Sequence, residues 1–371
     1  MLDIFRKIFN SFWITVNFIF SGALLISTLS AFISPAKFWI LAFFGLASPY
    51  LLLINFGFII YWSVLWRRLF LVSCIAIGLS SFQFSSFISF PFGAPHLKQG
   101  ESSFRILSYN VRSFNRYNWL NDTSARNGII GFIRKEQPSV ICFQEFYTME
   151  MGSFTLEELS KMLINTEYKH ICYTSGKHVK SHFGIATFSC FPIINKGVIK
   201  FENTQNVCIY SDLVIKNDTV RVYNNHLQSI RFIKEDYDFM DTLRFEYSES
   251  QVKEIKGISY KLKDAFIKRA EQVDIISEHI RHSPYPVIVC GDFNDTPFSY
   301  TYHTMRGSLK DAFKVSGAGI SNSYNGPFPS YRIDFILHSK DISSYDFMTN
   351  TILLSDHYPL ECSMSINKGK H

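Results

Sequence analysis

Six apolar runs in the sequence end in residues able to hold a cation, a phosphate or a water. They close on Tyr109-Asn110, Gln144-Glu145, Asn225-His226, Asp292-Phe293-Asn294, Ile333-Asp334 and Ser355-Asp356-His357. In VIVCGDFNDTP, residues 287–297, the apolar stretch Val287-Ile288-Val289-Cys290 runs straight into Gly291-Asp292-Phe293-Asn294-Asp295. One polar strand end is ordinarily a cap or a turn. Six of them, rich in Asn, Glu, His and Asp, point to a ligand site, because α/β sheets gather such sites at one rim of their strands. Carboxylates with amide oxygens suit Mg²⁺ or Mn²⁺, hard cations that prefer oxygen. Histidines beside them can balance charge on a phosphate or move a proton. Asp292 and Asn294, two apart in an extended segment, point to the same side and can act on one water. No serine-centred nucleophile elbow is present, which argues against a covalent serine enzyme.

The elements that must position these groups follow from hydrophobic pattern. Strands are expected at 104–111, 139–146, 183–189, 207–215, 220–227, 286–293, 332–338 and 360–366, with helices at 124–136, 154–165, 251–281 and 299–306. Short apolar runs alternating with amphipathic segments give a mixed α/β domain over 104–368, its sheets covered by helices. Residues 230–263 break the rhythm: charged and aromatic, they are expected to form a surface insertion near the site, a lid, a strut toward the membrane, or a solvated loop. Asp295 and Pro297 are expected to shape a turn. Asp212, Asp311 and Arg332 read as structural, while His182, which with His170 and His178 precedes the 183–189 run, is a further candidate for substrate contact.

The N-terminal quarter is of another kind. Residues 8–36, 38–66 and 69–97 contain no Asp, Glu, Lys or Arg, and each window exceeds the roughly 20 residues that cross a hydrocarbon core. Three transmembrane helices are expected, at about 11–33, 39–62 and 69–90, followed by a linker at 96–103. Arg6, Lys7 and the pair Arg67-Arg68 place the N-terminus and the second loop in the cytoplasm, and three crossings then put the α/β domain on the outer, periplasmic side. Residues 1–98 hold six Lys and Arg and one acid, leaving 31 basic and 30 acidic residues for 99–371. The α/β domain is thus nearly neutral, and bulk charge gives no broad nucleic-acid surface. The seven cysteines form no CxxC pair, which excludes a zinc knuckle. Cys142 and Cys290 read as buried thiols.

LSYNVRSF, CFQEF, NNHLQS, GDFNDTP, RIDFIL and SDHYPL occur in that order across 107–360. Together they resemble the endonuclease/exonuclease/phosphatase superfamily, which includes pancreatic-type DNases and neutral sphingomyelinases. The resemblance implies a four-layered α/β sandwich and Mg²⁺-dependent cleavage of a phosphoester. It implies Glu145 as the main metal ligand, with Asn110 and Asp356 near the same ion. Asp292 would orient or deprotonate the attacking water, and Asn294 would hold the phosphate or that water. His357 would contact the phosphate, oriented by Asp334, and His226 stands where DNases and sphingomyelinases also carry His. The expected substrates are nucleic acid or a phospholipid headgroup beside the bilayer; no protein partner is inferable. The alternative is a catalytically silent, membrane-tethered binding module on the same fold.

Overall fold

The computed structural model describes residues 2–90, 103–120, 124–152, 154–174, 180–242, 249–326 and 331–367. Four helices come first: α1 (Leu2–Leu29), the short α2 (Pro35–Phe38), α3 (Ile40–Val64) and α4 (Phe70–Phe84). Then follow β1 (Ile88–Ser89), β2 (Phe104–Asn110), α5 (Ala125–Glu136), β3 (Val140–Met149), α6 (Leu156–Met162), β4 (Tyr168–Tyr173) and β5 (Ser181–Ser189). β6 (Ile193–Lys200), β7 (Val207–Ile215), β8 (Asp218–His226), α7 (Lys234–Thr242), α8 (Glu249–Arg281) and β9 (Val287–Asp292) continue the chain. It closes with α9 (Tyr300–Arg306), β10 (Lys310–Asp311), α10 (Ala312–Ser316), β11 (Gly319–Ile320), β12 (Asp334–His338), β13 (Ile342–Thr349) and β14 (Leu360–Ile366).

Two six-stranded sheets result, ordered β13-β14-β2-β3-β5-β4 and β10-β12-β9-β8-β7-β6. Each has one parallel pair at its centre, β2 with β3 and β8 with β9, and is otherwise antiparallel. Alternation along the strands explains the layering. Ile106, Cys142, Val222, Ile288, Cys290 and Leu360 face inward and fill the space between the sheets. Leu107, Tyr109, Ile141 and Phe143 face outward and bury against Ile129, Ile133 and Leu159 of α5 and α6. On the far side Tyr223, Val289 and Phe335 meet Val273 and Ile276 of α8 and Tyr302 and Met305 of α9. This is the expected four-layered α/β sandwich. All seven cysteines are free thiols.

In the N-terminal bundle α1, α3 and α4 pack up, down and up. The expectation of three full spans is corrected to two. Ile4–Leu29 and Ile40–Val64 are long and apolar enough to cross a membrane, whereas α4 has 15 residues. At 1.5 Å per residue α4 is about 22 Å long, short of a hydrocarbon core of about 30 Å. Its helix stops where the serines at 85 and 86 begin. Inside the bundle a hydrogen-bonded polar seam runs beside the apolar cluster of Leu24, Leu51 and Ala76, and the outside is apolar. Asn17 of α1 donates to Ser73 Oγ of α4 (2.7 Å) and accepts from Trp62 Nε1 of α3 (3.1 Å), while Ser21 Oγ donates to Asn55 Oδ1 (2.8 Å). Phe5, Ile19, Leu53, Ile60 and Leu79 are exposed.

The bundle docks on the α/β domain by one end. Ser30 Oγ, just beyond α1, donates to Phe298 O (2.9 Å), and Phe84 and Phe87 pack on the Phe298 ring. Arg332, fully buried against Asp311, also donates to Ser86 O (2.9 Å). Phe43 of α3 meets Phe266 of α8, and Lys263 lies over the Trp39 ring. The expected linker lies outside the described residues except for residue 103.

Candidate active site

Strand register brings five of the six polar ends to one rim, and the loop before β14 adds Ser355-Asp356-His357, tied there by Ser355 Oγ donating to Asn110 O (2.8 Å). In the parallel pairs Asn110 stands beside Gln144 and His226 beside Asp292, and β12 begins with Asp334 opposite Asp292. Local backbone features complete the convergence. Gly291 has φ +132°, and a Cβ there would lie 2.1 Å from Asn225 O, so only glycine lets β9 press against β8 at this point. Glu145 has φ +49° and sits in a break of register between Phe143 and Phe146. Such a bulge re-aims one side chain. Gln144 turns inward instead and donates to Asn224 Oδ1 of the other sheet (2.6 Å).

Asn110 is the hinge of the cluster. Its Nδ2 donates to Asp292 Oδ2 (2.9 Å) and Glu145 Oε1 (3.4 Å), while its Oδ1 accepts the Arg112 N–H (3.1 Å). The face it turns to the carboxylates is therefore a donor. His226 Nε2 lies 3.8 Å from Glu145 Oε1 and 3.9 Å from Asp292 Oδ2, buried and with no hydrogen-bond partner. His357 Nδ1 meets Asp334 Oδ2 at 2.8 Å, and its Nε2 is 3.7 Å from Asp292 Oδ2. Asp292 Oδ1 accepts the Asn294 N–H (2.8 Å), and Asn294 Nδ2 donates to Leu227 O (3.0 Å). Asp356 stands near enough to Glu145 for its charge to raise that carboxyl, and its own carboxylate lies 3.2 Å from Arg112 Nη1.

Burial pushes the Asp292 carboxyl up to about 6, and the neighbouring Asp334 charge adds to the rise. Burial and then Asp356 also raise Glu145. Burial lowers His226, against the pull of Asp292. Burial works to lower His357 too, but Asp334, Asp292 and Asp356 together outweigh it and hold the imidazolium well above its ordinary value. Crowded, desolvated carboxylates around an unpartnered imidazole nitrogen are a site built for positive charge. Ligand atoms of Asp292, Asp334 and His357 lie within 4.8 Å of one another, a cluster able to hold a divalent cation.

These groups line a cleft of about 240 Å³ in which Glu145, Asn294, Asp292, Asp356 and His357 all appear. His226 opens on an adjoining hollow that shares Glu145. Sequence reasoning missed Arg112, which neutralises Asp356; its signal was its place in NVRSF, at the start of a left-handed turn (φ +42° to +53° over Arg112–Asn115). Leu46 of α3 also lines the cleft and was not anticipated. The 230–263 segment is half cleft wall, with Ile230, Phe232, Tyr237 and Leu262, and half contact with the bundle through Lys263. Asp295 is held by Arg269 (3.1 Å) and Thr301 (2.8 Å), although it borders the cleft, and Asp212 by Arg221 (2.6 Å). His170 is buried on Ser211 Oγ (3.0 Å), and His182 packs on Tyr173; His178 lies outside the described residues.

A family model for the endonuclease/exonuclease/phosphatase family matches residues 107–357, and one described as a domain of unknown function matches residues 6–87. Among solved structures, an endonuclease/exonuclease/phosphatase from Beutenbergia cavernae superposes with TM-score 0.52 at 15% identity, over 71% of this chain and 72% of that one. The human Nocturnin catalytic domain, solved with a bound sulfate anion, gives 0.50 at 19%, over 75% and 98%. A family protein from Bacteroides vulgatus gives 0.50 at 15%, over 72% and 100%. No curated protein matches the chain. At these identities the structural likeness speaks for the fold alone, but the family model spans most of the α/β domain and every strand end of the rim: the chain belongs to the endonuclease/exonuclease/phosphatase family.

Proposed function

We propose that the chain is a membrane-anchored, Mg²⁺-dependent phosphoesterase that hydrolyses phosphodiester bonds with an activated water. The observation that carries this reading is buried Asp292, hydrogen-bonded to Asn110 and flanked by His226 and by His357 on Asp334. Glu145 and Asp356, positioned by Asn110 and Arg112, would hold the cation; their hard oxygens and the raised Glu145 carboxyl fit Mg²⁺, with Mn²⁺ a substitute. When bound, the ion supplies positive charge to the non-bridging phosphate oxygens.

The chain's own residues do the rest. Asp292, pushed up to about 6, is a stronger base than an ordinary carboxylate and takes a proton from the attacking water. The Asn294 N–H fixes its rotamer. Asp334 accepts the Nδ1–H of His357, which keeps Nε2 aimed at the cleft and the ring positive against a phosphate oxygen. His226, with Nε2 unpartnered, is a second donor to that phosphate. Anchoring is supported by two helices of spanning length in a bundle with apolar residues outside and hydrogen-bonded Asn and Ser inside, the distribution lipid demands.

The test uses the full chain in detergent micelles with bis-p-nitrophenyl phosphate. Turnover should require Mg²⁺, stop on chelation, and fall about a hundredfold or more in Glu145→Gln and in Asp292→Asn while the thermal melt persists. Full activity in both variants would refute the mechanism.

A further inference from the structure

The structure places a residue of a membrane-spanning helix, Leu46 of α3, in the same cleft as Glu145, Asp292 and His357. From this juxtaposition we infer that the substrate is a phosphodiester carried on a lipid of the surrounding bilayer, reaching the site laterally along α3. The inference rests on the phosphoesterase reading above and adds the class of substrate.

Depth comes first. Leu46 is six residues beyond Ile40, about 9 Å along the helix at 1.5 Å per residue. Trp39, at the head of α3, lies under Lys263, and an indole beside a lysine is the pairing found at the headgroup layer. That layer is roughly 5–8 Å thick on each side of the hydrocarbon. The cleft wall at Leu46 therefore stands where headgroup gives way to acyl chain, and the carboxylates above it stand at the level of lipid phosphates. A lipid need not leave the membrane to be cleaved.

The surface below the cleft continues the argument. Leu46, Tyr50, Leu53, Gly57 and Ile60 follow one another at intervals of three or four residues and share one face of α3. The Tyr50 hydroxyl neighbours that of Tyr331, another residue of the cleft wall, which ties this face to the site. Leu53 and Ile60 are 65% and 66% exposed, and a Cβ on Gly57 would have nothing within 4 Å. The stripe runs about 21 Å from Leu46 to Ile60, with a shallow gap at Gly57, a track suited to a hydrocarbon chain. Ile230, Phe232 and Phe266, the last against Phe43 of α3, extend the apolar wall of the cleft, and the near-neutral charge of the α/β domain gives no broad basic surface for a polynucleotide.

In the reaction the water oxygen bonds to phosphorus and the P–O bond to the lipid alcohol breaks. The alcohol leaves with the bonding pair and receives the proton given up by the water, so that a membrane alcohol and a soluble phosphorylated headgroup result.

The experiment reconstitutes the full chain with Mg²⁺ in vesicles of equal parts phosphatidylethanolamine, phosphatidylglycerol and sphingomyelin, and measures phosphorylated headgroup released into water. Bis-p-nitrophenyl phosphate and plasmid DNA are offered in parallel. Headgroup release is expected, and its ratio to bis-p-nitrophenyl phosphate turnover should fall about tenfold in Gly57→Trp, with a smaller fall in Leu53→Ala, a variant that leaves the span apolar. Turnover of the soluble diester with vesicles untouched overturns the inference and leaves the phosphoesterase reading in place. Nicking of DNA with vesicles untouched does the same. Lipid cleavage with an unchanged ratio in both variants overturns the route along α3. Silence toward all three substrates removes the phosphoesterase reading, and this inference with it.

Discussion

Burial and neighbouring charge together set the charge state of the polar side chains around the two sheets, inside the site and away from it. His170 is the plainest case. Burial, with Lys196 nearby, lowers its imidazole to about 4, and the neutral ring bonds Ser211 Oγ (3.0 Å). The unfolded chain, with an ordinary value near 6.5, takes up this proton first as pH falls. Neutral His170 thus contributes stability that is fully present above about pH 6.5 and is lost toward pH 4. The contribution is at most about 3 kcal/mol for a shift of this size. Denaturant unfolding of the full chain in micelles at pH 7 and pH 4 checks the sign. The wild type should lose more stability on acidification than His170→Gln, and equal losses would show that the ring is not protonated on unfolding. The same logic made the site legible in sequence. An amide, carboxylate or imidazole at the end of an apolar run is drawn toward the core, and six such ends are visible in the sequence. Arg112 was not legible there, because its place in NVRSF marks a turn and gives the arginine no role until Asp356 is beside it.

Strands with neighbours on both sides were legible and edge strands were not. The eight runs expected as strands all form strands. The three longer strands that pattern reading passed over, β4, β6 and β13, each stand at an edge of a sheet. Edge strands are flanked on one side only, so IINKGVIK of β6 mixes lysine and asparagine into its apolar residues and loses the contrast that marks a core strand. Helices fail differently. α4 was expected to span because composition counts residues and not hydrogen bonds, and the serines after Phe84 end the helix before the apolar window does. The contact between helix and domain is also set by small groups. A Cβ on Gly45 of α3 would lie 2.4 Å from Ser30 Oγ, which now donates to Phe298 O (2.9 Å). Gly45→Ala must turn that hydroxyl away and lose the bond, a cost of about 1 kcal/mol. In a Ser30→Gly background the bond, the hydroxyl and the Ser30 Cβ, which lies 2.8 Å from the added Cβ, are all gone, so Gly45→Ala should cost little further. Melting temperatures of the two single variants and the double variant in micelles measure the coupling; additive shifts would mean that Gly45 and Ser30 do not share this contact.

At the scale of the whole chain, the anchored arrangement proposed above makes the three helices and their charges decide which side of a membrane the site faces. Trp13 of α1 meets Phe58 and Tyr61 of α3, so Arg6 and Lys7 lie at the same end of the bundle as Arg67 and Arg68. The opposite end, with Ser30, Trp39 and Phe84, carries the α/β domain. Although α4 is short, it returns the chain to that end, so the domain and the four basic residues stand on opposite faces. Basic residues flanking spans are retained in the cytoplasm. We therefore expect the α/β domain outside it, with the cleft against the outer leaflet. Two single cysteines test this in a chain whose partly exposed Cys74, Cys172 and Cys190 are replaced by serine. Asp218→Cys sits at the exposed first residue of β8, beside the turn from β7, and Trp66→Cys beside the Arg67-Arg68 pair, where the native side chain is 95% exposed. An impermeant maleimide should label position 218 in intact cells and position 66 only after lysis. The reverse pattern would put the cleft on the cytoplasmic leaflet, and the lipids within reach of α3 would then be those of the inner face.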